Sequence, residues 1–163
     1  MKISKRRQFL SLLGLGGLGL GGVGLGGIST KVQAHHTETH FEDSSKHRLL
    51  YQCNKADIEY IDHILFSCGE MLRKYGDDIE IIVTTLGPGI HLLAKHPRRL
   101  IKPEQQQRVK SLAAYGVRFQ ACGNTMKTLQ WSDEDMLAEA EIIPIGVEGI
   151  MKLQEQGFTY FSW

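Results

Sequence analysis

The sequence has 163 residues, with 19 Lys and Arg against 18 Asp and Glu. Residues 1–34 hold five basic residues and no acid, so the remainder carries 14 basic against 18 acidic residues, a net charge of −4. That balance argues against a nucleic-acid binder, three cysteines are too few for a disulfide framework, and the composition excludes collagen-like, disordered and polytopic membrane classes.

The first element is an address. Residues 1–7 are short and basic, and residues 12–28 consist of eight apolar residues and nine glycines. Val32-Gln33-Ala34 ends the segment with a small residue at a cleavage point. This is the three-part layout of an export signal, and its glycine content makes a poor membrane helix. Arg6-Arg7 followed by Gln8-Phe9-Leu10 resembles the twin-arginine signal, with Lys5 and Ser11 departing from the pattern. Residues 1–34 therefore read as a twin-arginine signal peptide, which implies a periplasmic location and no membrane span after cleavage. Gly14, Gly16 and Gly19 satisfy a dinucleotide fingerprint, but that pattern has meaning only between a strand and a helix and here it falls in the signal segment, so no nucleotide site is expected.

Residues 35–46 are polar and include His35, His36 and His40. They read as a linker. Imidazoles there could hold a metal loosely, but a fixed metal site needs geometry that a tether lacks, and none is expected. The 129 residues after position 34 fit one domain, placed at residues 47–163.

That domain alternates strands and helices. Residues 48–53 form an apolar strand. Residues 57–75 form a helix with Ile58, Ile61, Ile64, Leu65, Cys68, Met71 and Leu72 on one stripe, Asp57 as cap and Gly76 as stop. Residues 79–86 are β-branched and nearly continuous, as in a strand covered on both faces. Gly87-Pro88-Gly89 ends it, and residues 90–95 predict a short helix. Residues 103–115 form a second long helix, with Val109, Leu112 and Ala113 inward. Residues 117–121 are the third strand and residues 124–129 a helical turn or two. Ser132 caps a helix start. Residues 142–145 are the fourth strand, whose Pro144 points to an edge or an end. Residues 147–156 are the last helix and residues 158–161 a fifth, aromatic strand. The alternation predicts an α/β fold: a mostly parallel five-stranded sheet with helices on both faces.

In such sheets ligands bind beyond the carboxyl ends of the strands. The rule selects Cys53-Asn54, Gly87-Pro88-Gly89, Cys122-Gly123-Asn124-Thr125, and Gly146. Cys68, on the helix stripe, reads as core. Cys53 points either into the core or into the loop edge; if the first and third strands were neighbours it could approach Cys122. No Cys-x-x-Cys is present. Cys122 sits at a strand-to-helix junction. Gly123 has no side chain to shield it, and helix-start amides would favour its thiolate, the nucleophilic form. A buried junction cysteine is the competing reading.

Tyr51-Gln52, Thr85-Leu86-Gly87-Pro88-Gly89-Ile90, Gly116-Val117-Arg118-Phe119-x-Ala121-Cys122-x-Asn124-Thr125, Gly146-Val147 and Leu153-Gln154-x-x-Gly157-Phe158-x-Tyr160 together resemble the DsrE/DsrF-type sulfur-relay family over residues 49–161. The resemblance implies a three-layer DsrE/F-like sandwich and a homo-oligomer, trimeric or hexameric. It also implies a persulfide carried on Cys122, exchanged with an unknown protein partner or sulfur donor and acceptor, with no cofactor. Gly123, Asn124 and Thr125 would stabilise the sulfur anion, and Gly87, Gly89 and His91 would line the same edge. His91 could move a proton to a cysteine or be a plain surface residue. Trp131, Phe158, Tyr160, Phe161 and Trp163 fit a subunit interface or the core equally. Two other readings stay open: a non-enzymatic periplasmic binding or assembly module at the same edge, and a metal-linked accessory protein.

Overall fold

The computed structural model describes residues 45–163. The signal peptide and nearly all of the His-rich linker lie outside the described residues. Five strands form one parallel sheet in the order β4-β3-β2-β1-β5: β1 (His47–Cys53), β2 (Ile79–Thr85), β3 (Arg118–Cys122), β4 (Ala140–Ile143) and β5 (Thr159–Phe161). The helices are α1 (Ile58–Tyr75), α2 (Pro103–Ala114), α3 (Gly123–Leu129) and α4 (Gly146–Glu155).

The two faces follow from chain direction. From β1 to β4 the chain steps one way across the sheet. Right-handed crossovers then put the connecting elements on one face. There Ile61, Ile64, Leu65 and Cys68 of α1, Val109 and Leu112 of α2, and Met126 of α3 pack with Tyr51, Ile81, Val83 and Phe119. After β4 the direction reverses, since β5 lies on the far side of β1. The reversal carries α4 over the opposite face, where Ile150, Leu153 and the adjoining Phe158 cover Leu50 and Ile82. Burying each such side chain is worth about 1.5–3 kcal/mol. β2 is buried almost throughout because both layers press on it.

Local chemistry sets the element ends. Asp57 Oδ1 accepts the Tyr60 N–H at 2.9 Å and starts α1. Gly76, at φ +55°, ends it. Three expectations are corrected. The predicted helix over 90–95 is a 3-10 turn, Gly87–Leu93, which begins at the Gly-Pro-Gly segment itself. The helix start at Ser132 is a single 3-10 turn, Asp133–Asp135, in which the Asp135 carboxylate accepts from the Ser132 amide and hydroxyl. The fourth strand runs two residues earlier than expected, so Pro144, which has no N–H to pair, lies just past its end; the edge position holds. The condition under which Cys53 could approach Cys122 is not met, because β1 and β3 are not neighbours. β2 separates them, so Cys53 and Cys122 end non-adjacent strands, and both are free thiols.

Candidate functional site

The carboxyl ends of β1, β2 and β3 are tied together by backbone. Leu86 N donates to Cys53 O at 3.1 Å, extending the β1–β2 ladder into the loop. The turn Gly87–Leu93 then lies directly on the end of β1. A Cβ at Gly89 would overlap the Cys53 carbonyl and stand 2.9 Å from Asn54 N, so only glycine fits. The Gly89 amide is used on Leu86 O at 3.2 Å. Gly87, at φ +51°, donates its N–H to Thr125 Oγ1 at 3.1 Å. Gly89 lets the turn sit on β1 and Gly87 holds Thr125, so both amides are already engaged.

Cys122 ends β3 and is the residue immediately before α3. Its side chain shares the α4 face with Gln120, as alternation along β3 requires. Gly146, the first residue of α4, donates its N–H to Cys122 Sγ at 3.2 Å. A Cβ on Gly146 would stand 3.0 Å from Cys122 Cβ, 3.2 Å from Sγ and 3.4 Å from Leu86 Cβ. Gly146 thus supplies a donor and, having no side chain, adds no carbon over the buried sulfur. Gly123 serves another purpose: its missing side chain lets α3 begin against Ile143 O and Pro144 O, 3.1 and 3.2 Å from where a Cβ would lie. Asn124 N donates to Pro144 O at 3.1 Å and fastens the two loops together.

The electrostatics separate the three cysteines. Burial pushes the Cys122 thiol up, but the polar groups around it, the Thr125 hydroxyl first and then the amides of Thr125, Gly146 and Asn124, favour the thiolate more. The net effect holds this thiol below its ordinary value. The Gly146 contact is the one short N–H···S bond that the geometry fixes; no side-chain capping bond closes at α3. Cys53 and Cys68 have no such balance, and burial pushes each up to about 12. Cys122 is 5% exposed, whereas Cys53 and Cys68 are sealed at 0%. All three thiols are buried, as the junction-cysteine reading expects of Cys122, and Cys122 alone is held below its ordinary value.

The site brings together Cys122, Thr125, Gly87, Asn124 and Gly123. His91 is placed elsewhere. It is buried, and Trp131, its partner at 4.9 Å, packs on the α1/α2 side of the sheet while Cys122 faces α4. Its Nδ1 accepts the Arg98 N–H at 3.0 Å. Among the described residues it makes no hydrogen bond to the cysteine loop. Sequence reasoning gave no role to the Gly146 amide or the Thr125 hydroxyl. The available signal was Pro144 followed by Gly146 just before a helix. Cavities of about 490 and 530 Å³ lie in the groove between α1 and α2, across the sheet from α4. No group of three or more His, Cys, Asp or Glu gathers among the described residues, and no helix there is long and apolar enough to cross a membrane.

A sequence model of the DsrE/DsrF-like family matches residues 45–163. Among solved structures, the chain is similar to MTH1491 of Methanobacterium thermoautotrophicum, described as a protein of unknown function. That match has 20% identity and a TM-score of 0.65, covering 72% of this chain and 99% of that one. It is also similar to the ychN protein of E. coli, at 13% identity and a TM-score of 0.59, with the same coverage of 72% and 99%. At these identities the two structures show a common fold. No curated protein matches the chain.

Proposed function

Because the chain belongs to the DsrE/DsrF-like family over residues 45–163, we propose that it carries sulfane sulfur as a persulfide on Cys122. The observation that supports this reading most is the contrast among the thiols: the polar groups around it hold Cys122 low, while burial drives Cys53 and Cys68 up to about 12. In the first step the Cys122 thiolate attacks the outer sulfur of a donor R–S–SH. A Cys122 S–S bond forms, the donor S–S bond breaks, and R–S⁻ leaves; the proton of the outer sulfur travels with it. In the second step an acceptor thiolate attacks the outer sulfur and Cys122 departs as thiolate. The Thr125 hydroxyl and Gly146 amide would stabilise the anion that Cys122 presents at the start and end of the cycle.

The same reading has the protein exported to the periplasm by the twin-arginine signal in residues 1–34 and working as a homo-oligomer that meets a donor or acceptor protein. Exposed Ile145, Val147 and Met151 leave apolar surface beside Gly146 that suits such contacts. The test uses wild type and Cys122→Ser incubated with a sulfane-sulfur donor and weighed intact. Wild type gains one sulfur, about 32 Da, and the variant does not. Equal masses would leave the family fold without this activity.

A further inference from the structure

The loop of residues 95–100 holds to the domain at few points. Lys95, His96, Arg98, Arg99 and Leu100 are exposed, Leu100 by 72%. At its start, Lys95 N donates to Asp135 O at 2.8 Å and Lys95 Nζ to Glu134 O at 2.7 Å. Its centre is fixed by a stack. His91 Nδ1 accepts the Arg98 backbone N–H at 3.0 Å, and the imidazole meets Trp131 edge to face at 4.9 Å. The Arg98 guanidinium lies 5.3 Å from the same indole and donates to Leu129 O at 2.9 Å.

An imidazole nitrogen that accepts a hydrogen bond bears no hydrogen, so the neutral ring carries its proton on Nε2. A second proton can enter only at Nδ1. There it would face the Arg98 N–H, donor against donor. The charged groups facing the ring are Arg98 and Arg99, both cationic. The nearby acid that acts on Arg98 and His96, Asp135, has its carboxylate turned onto Ser132. Burial, and then Arg99 and Arg98, hold His91 below its ordinary value.

We propose that His91 is an acid-released latch: protonation at Nδ1 frees the Arg98 amide and lets residues 95–100 swing away from the Trp131 platform. The loop supplies Arg99 and Leu100 to a cavity of about 430 Å³ at the carboxyl edge, whose other walls include Asn54, Lys55, Asp57 and Pro88. Releasing the latch opens that cavity. The proposal stands on the loop geometry and does not require Cys122 to carry sulfur. Because the latched state depresses the histidine pKa, its stabilisation is complete above about 6.5 and is lost as pH falls through the lower, latched value.

The test follows the His91 ring resonances and the protection factor of the Arg98 amide in the full chain, from about pH 7.5 to about pH 4.5. His91 is expected to titrate below 6.5. Arg98 protection should fall about tenfold or more with the same midpoint, while α1 core amides such as Ile64 stay protected. His91→Gln keeps an acceptor oxygen and gains no charge, so it should show no step. Arg98 protection that stays flat through the His91 titration overturns the latch. So does a step of equal size in His91→Gln, or a His91 midpoint at or above 6.5.

Discussion

Replacing Thr125 by Val removes the hydroxyl that does most to favour the Cys122 thiolate while nearly keeping the side-chain shape. A hydrogen bond to a charged group is worth about 1.5–3 kcal/mol, so losing a donor that favours the thiolate disfavours the charged form by up to that amount and moves the Cys122 pKa upward. The rate of alkylation below the pKa then responds to two opposing effects. The thiolate fraction falls by up to about 100-fold, but a more basic thiolate is a better nucleophile, with a Brønsted slope of about 0.4–0.5. The net expectation is a slowing of up to about 12-fold near neutral pH, with the inflection of the pH–rate profile moved upward. The assay is iodoacetamide alkylation of the native protein across pH, read as modification of the Cys122 peptide. Thr125→Ser restores the hydroxyl and should restore the profile. Valine also strands the Gly87 N–H that Thr125 accepts at 3.1 Å, which should cost about 1–3 kcal/mol of stability in a parallel urea titration. A folded Thr125→Val protein with an unmoved inflection, or Thr125→Ser behaving like valine, refutes the reasoning.

Gly146→Ala places a methyl group 3.2 Å from Cys122 Sγ; if that adds about 1.4 kcal/mol to reagent approach, alkylation slows tenfold, and a wild-type rate would show that the sulfur is reached from another side. Gly89→Ala drives a carbon into the Cys53 carbonyl, backbone that no rotamer change can clear, so urea unfolding should show a loss at or beyond the upper end of the usual overpacking cost of about 1–3 kcal/mol; a change within about 0.5 kcal/mol would contradict the close approach. Raising the pH should weaken the fold. Burial lifts Cys53 and Cys68 to about 12 in the folded state, so their contribution is intact below the unfolded thiol value of about 8.5 and is lost as pH climbs toward the folded value. Denaturation midpoints at about pH 8 and about pH 10.5 check the sign, with a smaller loss expected in Cys68→Ala.

The fold was legible because its signals are local. The α1 stripe from Ile61 to Cys68, the β-branched run of β2 and the stops at Gly76 and Gly116 each act within a few residues. Alternation of the elements then dictates a parallel sheet, which the structure has. Strand order is a long-range property, and no residue of β1 or β3 announces that β2 lies between them. The site was half legible. Cys122 could be placed because a strand end, a glycine and a helix start adjoin it in sequence. The Gly146 donor lies 24 residues away, and its approach depends on β4 ending at Ile143, two residues before the sequence pattern stops. The burial of His91 was illegible for a related reason. Its neighbours in the chain put it at the edge, but its environment comes from Trp131 and Arg98, which no spacing rule connects to it.

The most direct measurement exposes the native full chain to a sulfane-sulfur donor, caps all thiols and persulfides with an alkylating agent, and maps the cysteine peptides by mass. An added sulfur of about 32 Da is expected on the peptide containing Cys122, with Cys53 and Cys68 unmodified until the protein is unfolded. Sulfur found on Cys53 or Cys68 in the folded protein, or on no cysteine at all, would contradict it.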